Sequence, residues 1–290
     1  MSPGRVVLAG MLCAALCTTP ALAATQQTAA STPTEIRQAE TFAFALGATL
    51  NATNVKRLAT RDLVVVDGAD TTAATVTRLR AKGAIVLGYL SVGTVESWRP
   101  WFAQLEDHRL EELGDWDGER YADVSSSELR DAVADRIAPQ LLEKGFDGLF
   151  LDNVDMVETH PAQADGMLDL VKRLSDRVHA AGGALMAQNG DATVKRFLPH
   201  LDAWNREDPT GTYDFDAGRY VATDTAGRRS ARTTLKLVRA AGLLTTSTDY
   251  FASPTSMAAV RAVRIACQVG AVPFVGDIDL KKVTAKPPRC

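Results

Sequence analysis

The chain alternates between short apolar runs and longer stretches in which apolar residues recur every three or four positions. The runs are FAFAL (42–46), LVVVD (63–67), AIVLGYL (84–90), DGLFLD (147–152), ALMAQ (184–188), LDAWN (201–205), LLTTSTD (243–249) and AVPFVGD (271–277). Most are continuous rather than alternating, as expected of parallel strands covered on both faces. Between them the pattern turns helical. Across 164–181, Met167, Leu170, Val171, Leu174 and Val178 fall on one face, while Lys172, Arg173, Asp176 and Arg177 lie off it. Gly182 and Gly183 then stop the helix. Ser126 and Ser127 are placed to cap a second helix running to Lys144, with Gly145 closing it, and Pro139 inside that pattern is expected to kink or split it. Eight strand signals, each followed by a helix or a long loop, predict an α/β fold: a single-domain (β/α)8 TIM barrel over residues 39–285. A doubly wound open sheet is the alternative. It calls for a glycine-rich nucleotide loop after the first strand, where GATLNATNV offers none.

In a barrel the carboxyl ends of the strands converge on one mouth, so polar residues there become neighbours. These are Asp67, Tyr89, Ser91, Asp152, Asn153, Gln188, Asn189, Asn205, Glu207, Asp249, Tyr250 and Asp277. Single aspartates and asparagines after strands often only shape a turn or cap a helix. The segment GFDGLFLDNVDMVE is different: a core strand needs Leu149, Phe150 and Leu151, but nothing in a core needs Asp152, Asn153 and Asp155 crowded directly behind them. The two long connections, 91–146 and 206–242, fall on this same face and are expected to wall a cleft.

Composition narrows the chemistry. A formal net charge of -3 and the lack of a basic run with interleaved aromatics argue against nucleic acid as a partner. The N-terminus pairs Arg5 with the apolar stretch VVLAGMLCAALC and a small-residue site ending at Ala23. That is the pattern of a cleavable export signal over 1–23, followed by a flexible polar leader over 24–38 and placing the protein in the periplasm or outside the cell. The apolar run falls short of the ~20 residues of a membrane span, so no stable anchor is expected. Of the four cysteines only Cys267 and Cys290 lie beyond the signal. Export permits a disulfide between them, whereas a helical setting for Cys267 and a terminal position for Cys290 leave the pairing open.

Paired carboxylates at one mouth suit glycoside hydrolysis, in which one stays protonated to serve the leaving oxygen and the other stays ionised. Histidines at 108, 160, 179 and 200 are scattered away from the strand ends, so a zinc site is not expected; a magnesium site on Asp152 and Asp155 is the remaining metal reading. No G-x-S-x-G elbow and no phosphate loop is present, and no cofactor is expected.

Several blocks together resemble glycoside hydrolase family 114, the endo-α-1,4-polygalactosaminidase-like barrels. They are VLGYLSVGTVESWRP (86–100), GFDGLFLDNVD (145–155), MAQNGD (186–191), TSTDY (246–250) and GAVPFVGDIDL (270–280). The resemblance implies a (β/α)8 barrel that cleaves α-1,4-linked galactosamine-containing polymers, and a catalytic pair after the fourth and sixth strands. On this chain these are Asp152, taken as nucleophile of a retaining mechanism, and Glu207, taken as acid/base, with Asp208 as the alternative acid. Asp67, Tyr89, Ser91, Asn153, Asp155, Asn189, Trp204, Asp249 and Tyr250 are the expected substrate-binding set, with Trp98, Trp101 and Trp204 as stacking surfaces, or Trp204 equally as a buried packing residue. The partner is then a polysaccharide, a cationic amino-sugar polymer suiting an acidic mouth, and the protein is expected to act as a monomer. A non-catalytic polysaccharide-binding barrel is the rival from another class, and a hydrolase of another bond, such as an amide, is a third reading.

Overall fold

The computed structural model describes Met1 and residues 33–290. The expected export signal and the first part of the leader lie outside the described residues. The last part of that leader belongs to the folded body: Pro33–Ile36 forms a helical turn, and Ile36 is fully buried.

Eight strands pair side by side in chain order, all parallel. They are β1 (Phe42–Phe44), β2 (Leu63–Asp67), β3 (Ile85–Ser91), β4 (Gly148–Asp152), β5 (Ala184–Gln188), β6 (Ala203–Glu207), β7 (Leu244–Tyr250) and β8 (Val272–Gly276). Continuous apolar runs give strands buried on both faces, and Leu149, Phe150 and Leu151 have no exposure at all. β1 and β8 meet across a seam packed by Phe42 and Phe274, whose rings lie 5.8 Å apart. The sheet is thus a nearly closed barrel with helices between its strands, a single-domain (β/α)8 fold.

β6 starts two residues later than the run 201–205 suggests. Asp202 is held below the strand, where its carboxylate accepts the Leu185 N–H at 2.9 Å. The shift brings Arg206 and Glu207 into the end of the strand. The helix Ala164–Ala180 buries Met167, Leu170, Val171, Leu174 and Val178, the face its periodicity marks. Pro139 splits the helix before β4 into Ser127–Asp131, a wide turn over Ala132–Ile137 with hydrogen bonds spaced as in a π-helix, and Ala138–Leu142. A proline lacks the N–H that would bond back one turn and its ring crowds that carbonyl, so the helix widens just ahead of it.

After β8 no eighth helix forms among the described residues. The tail runs back toward the foot of the barrel over the β8–β1 seam. Arg57 and Arg61 donate to the Val283 and Thr284 carbonyls at 3.2 and 2.7 Å, and Cys290 is disulfide-bonded to Cys267. Two excursions rise over the mouth. Between β3 and β4, Thr94–Glu96, Glu119–Ala122 and Arg109–Glu112 form a small antiparallel sheet. Between β6 and β7, Gly211–Asp214 pairs with Arg219–Ala222 as a hairpin.

Candidate active site

The exits of β4, β5 and β6 share one backbone device. Asn153, Asn189 and Asp208, each the first residue after its strand, adopt left-handed conformations with φ of 58°, 60° and 56°. Side chains other than glycine rarely occupy this region; Asn and Asp do so most readily, and such turns cluster at functional sites. Each turn follows a residue of the site: Asp152, Gln188 and Glu207. The β4 turn is also approached closely by Gly93, where a Cβ would lie 1.9 Å from the Asn153 carbonyl oxygen.

Asp152 sits on the same strand face as Phe150, whose ring meets Phe44 and Tyr89 at 4.9 and 6.3 Å. The packed rings hold that strand while its last residue turns polar. Asp152 accepts three hydrogen bonds: from the Tyr89 hydroxyl at 2.6 Å, from Gln188 Nε2 at 2.5 Å and from its neighbour's backbone, Asn153 N–H, at 2.7 Å. Gln188 is fixed in turn, since its Oε1 accepts from Asn205 Nδ2 at 3.0 Å. Asn205 Oδ1 accepts from Thr246 and Thr248 at 2.7 and 3.1 Å. A relay of neutral groups from β7 through β6 and β5 therefore sets which Gln188 atom faces Asp152.

Glu207 faces the same cleft. Its Oε2 accepts from Asn189 Nδ2 at 2.8 Å and its Oε1 from the Tyr250 hydroxyl. Asn189 is oriented by the Glu207 backbone N–H, which donates to its Oδ1 at 3.1 Å. Neither carboxylate has an ion-pair partner among the described residues. Burial pushes the Asp152 carboxyl up, against three donors that favour its charged form. Burial first, then the charges of Asp152 and Asp208, pushes Glu207 up to about 8. Burial and the neighbouring carboxylates hold Tyr89 and Tyr250 well above the usual tyrosine value, so both remain neutral donors.

The cleft has a volume of about 310 Å³, and Glu96, Glu119, Asp152, Glu207 and Asp208 all line it. None of its lining residues is Lys or Arg. The nearby Arg99 is consumed elsewhere: it clamps Glu96 through two nitrogens at 2.5 and 2.8 Å and reaches Asp67 at 2.6 Å. Glu119 is bound only by neutral donors, Thr94 at 2.5 Å and Asn153 Nδ2 at 3.3 Å, and burial pushes it up to about 7.

Of the expected substrate-binding set, Tyr89, Asn153, Asn189 and Tyr250 line the cleft beside the two catalytic candidates. The others are placed differently. Asp67 holds Arg99. Ser91 is buried and accepts from Asn153 Nδ2 at 3.0 Å. The Asp249 carboxylate ties down the loop after β6, accepting from Thr210 N, Thr210 Oγ1 and Gly211 N at 2.7, 2.8 and 2.8 Å. Asp155 stands behind the β4 turn, where burial and Asp152 push it up to about 7. Trp204 is no stacking surface: its ring is buried and its Nε1–H donates to the Asn189 carbonyl at 2.9 Å. Trp101 is buried as well, whereas Trp98 is 52% exposed and lines the cleft. Asp208 also lines it, with burial pushing its carboxyl up to about 7. Glu119, Trp116 and Phe215 reach the cleft from the two excursions, where no strand-end position marks them in sequence. Gln188 does sit at a strand end, but its role as a donor to Asp152 appears only once β4 and β5 are paired.

This arrangement has parallels among known proteins. Over 246 residues, 78% of this chain and 76% of the relative, the sequence is 27% identical to an uncharacterised protein of Deinococcus radiodurans. The glycoside hydrolase domain of PelA from Pseudomonas aeruginosa superposes with a TM-score of 0.74 at 22% identity, covering 84% of this chain and 97% of that one. Aspergillus fumigatus Ega3, solved in complex with galactosamine, gives 0.69 at 19% identity, covering 83% and 92%. At these identities the two structures speak for the fold. The assignment comes from the sequence model of glycoside hydrolase family GH114, which matches residues 21–252. That span contains β1 to β7 with Asp152 and Glu207, and the chain is a glycoside hydrolase belonging to family GH114.

Proposed function

We propose that the protein is an exported hydrolase of α-1,4-linked galactosamine-containing polysaccharide, acting as a monomer with net retention, with Asp152 as nucleophile and Glu207 as acid/base. The observation that carries the assignment of roles is the unequal footing of the two carboxylates in one cleft. Burial pushes both carboxyls up, but three donors favour the charged form of Asp152, whereas on Glu207 the charges of Asp152 and Asp208 add to burial and push it up to about 8. In the proposed resting state the proton therefore sits on Glu207 and the charge on Asp152. In the first step an Asp152 oxygen bonds to the anomeric carbon as the glycosidic C–O bond breaks, and the Glu207 proton passes to the departing oxygen. In the second, Glu207, now a carboxylate, takes a proton from water. The water oxygen bonds to the anomeric carbon and Asp152 leaves as carboxylate.

A cationic polymer is favoured because the cleft lining holds no lysine or arginine: Asp152 carries charge, Glu119 and Asp208, pushed up to about 7, carry it in part, while Glu207 keeps its proton and Glu96 is paired with Arg99. Such a field concentrates a positively charged chain at the mouth, and salt weakens it as the Debye length falls to about 10 Å at 0.1 M. The test is product analysis on a panel of partly deacetylated galactosaminan, chitosan and neutral α-glucans across a salt series. Shortened galactosaminan fragments, formed with a kcat/KM that falls as salt rises, are expected. Equal cleavage of neutral glucans, or a rate indifferent to salt, contradicts the cationic substrate.

A further inference from the structure

The two excursions over the mouth arise from β3 and β6, three steps apart in an eight-stranded circuit and so on nearly opposite sides of the barrel. Their tips meet. Trp116, in the turn between Arg109–Glu112 and Glu119–Ala122, packs edge-on against Phe215, in the turn between Gly211–Asp214 and Arg219–Ala222, with ring centroids 5.5 Å apart. Both rings line the cleft that holds Asp152 and Glu207. The contact continues through Tyr213, 5.1 Å from Phe215, and Tyr220, 5.0 Å from Tyr213, to the Tyr220 hydroxyl, which accepts the Ile278 N–H at 3.2 Å. An aromatic bridge thus spans the site, anchored on the exit of β8 at one end and, at the other, on a turn tied to the barrel side by the Ser97 N–H, which donates to the Gly118 carbonyl at 3.0 Å.

The bridge is weakly held at the Trp116 end. Trp116 and Phe215 remain 41% and 38% exposed, and a single edge-to-face pair adds little beyond the area it buries. The Trp116 turn is flanked by Gly114 and Gly118, both at positive φ; Gly118 packs against Ser97 and Trp98, whereas Gly114 has open space around it, so the free side of the turn is the Gly114 side. The covered volume, about 310 Å³, is at the small end for a ligand site. A polymer cut at an internal bond must extend beyond the catalytic pair in both directions, and under a closed bridge there is little room for that.

We propose that the Trp116–Phe215 bridge is a gate that sets the mode of attack: it opens to admit an internal stretch of polymer and recloses over it, holding the chain between successive cuts. This rests on the polysaccharide reading above. The free enzyme then exchanges between bridged and open tips, long chains require opening, and short oligosaccharides enter from the side without it.

The test uses Asp117→Cys together with Asp216→Cys, two exposed positions at the tips, in full-length protein with Cys13 and Cys17 changed to serine; Cys267 and Cys290 are bonded to each other. Joining the tips with a short bis-maleimide is expected to lower galactosaminan cleavage tenfold or more while galactosamine oligosaccharides are cut at close to the rate of the unjoined variant. Nitroxides on the same two cysteines are expected to report two tip-to-tip distances without substrate and a shift between them with polymer. Full polymer cleavage by the joined enzyme, failure of the tips to join, equal loss on short and long substrates, or a single unshifted distance overturns the gate. If the unjoined enzyme cuts no galactosamine substrate, the substrate reading fails, and the distances in the free enzyme alone decide whether the tips open.

Discussion

The two ends of the barrel use the same residue type in opposite ways. At the foot, Asp147 accepts the Val86 N–H at 2.9 Å and pairs with Arg80 at 2.8 Å. Asp202 accepts the Leu185 N–H and meets His179 Nε2 at 2.8 Å, and Asp62 gathers the Glu40 and Thr41 N–H groups at 3.0 and 2.9 Å. Each ties one strand to the next. At the mouth, Asp152, Glu207 and Glu119 receive only neutral donors. The larger cavity, about 660 Å³, lies at the foot beside Asp62, Arg80 and Asp147; the smaller, about 310 Å³, lies at the mouth. The difference teaches that neither size nor a count of carboxylates locates the chemistry here. What does is the gathering of several buried, hydrogen-bonded carboxyls in one cleft whose lining holds no lysine or arginine.

The sharpest way to break the comparison is to neutralise one carboxylate at each end. Asp152→Asn keeps the shape and removes the proposed nucleophile, so the rate is expected to fall on the order of 10³ or more with the fold intact. Glu207→Gln is expected to lose most on natural substrates and least on those with good leaving groups, which need little proton donation. Steady-state kinetics on both substrate types checks these outcomes; an Asp152→Asn enzyme that keeps most of its activity removes the mechanism. At the foot, Asp147→Asn is expected to lower stability by about 2 kcal/mol, as Arg80 loses its partner, while kcat of the folded enzyme holds. Chemical denaturation alongside kinetics reads this, and a fall in kcat with unchanged stability contradicts a purely structural foot.

The smallest effect is on stability against pH. Glu207 is pushed up to about 8, and Asp155, Asp208 and Glu119 to about 7, against roughly 4 for such groups in an unfolded chain. A raised carboxyl contributes stability that is fully present below its unfolded value and is lost as pH rises through its folded value. The melting temperature is therefore expected to fall by several degrees between pH 5 and pH 8.5, and Glu119→Gln to flatten the fall. A melting temperature that rises across this window contradicts the unpaired mouth.

Much of this was legible in the sequence, and the parts that were not share a cause. Short runs marked all eight barrel strands, most of them continuously apolar because parallel strands are buried on both faces, although β7, LTTSTDY, is mostly Thr and Ser and buried all the same. Asp152 stood out because the run before it had no use for it. Chain periodicity does not say where a polar side chain points. Asp249 and Asp67 sit at strand ends as much as Asp152 does, yet one holds a loop and the other an arginine. Trp204 lies within a strand run and is spent on packing. Glu119, Trp116 and Phe215 belong to excursions whose course over the mouth depends on tertiary contacts such as the Trp116–Phe215 pair, so no local pattern announces them.

The most direct test of the unequal carboxylate pair is to trap the intermediate. With Glu207→Gln and a galactosamine substrate bearing an activated leaving group, the first step needs little acid and the second lacks its base, so a glycosyl–enzyme should accumulate. Intact-mass spectrometry with peptide mapping is expected to find one sugar per chain, on Asp152. A label on Asp208 instead, or turnover with inverted anomeric configuration and no label at all, would contradict Asp152 as the nucleophile.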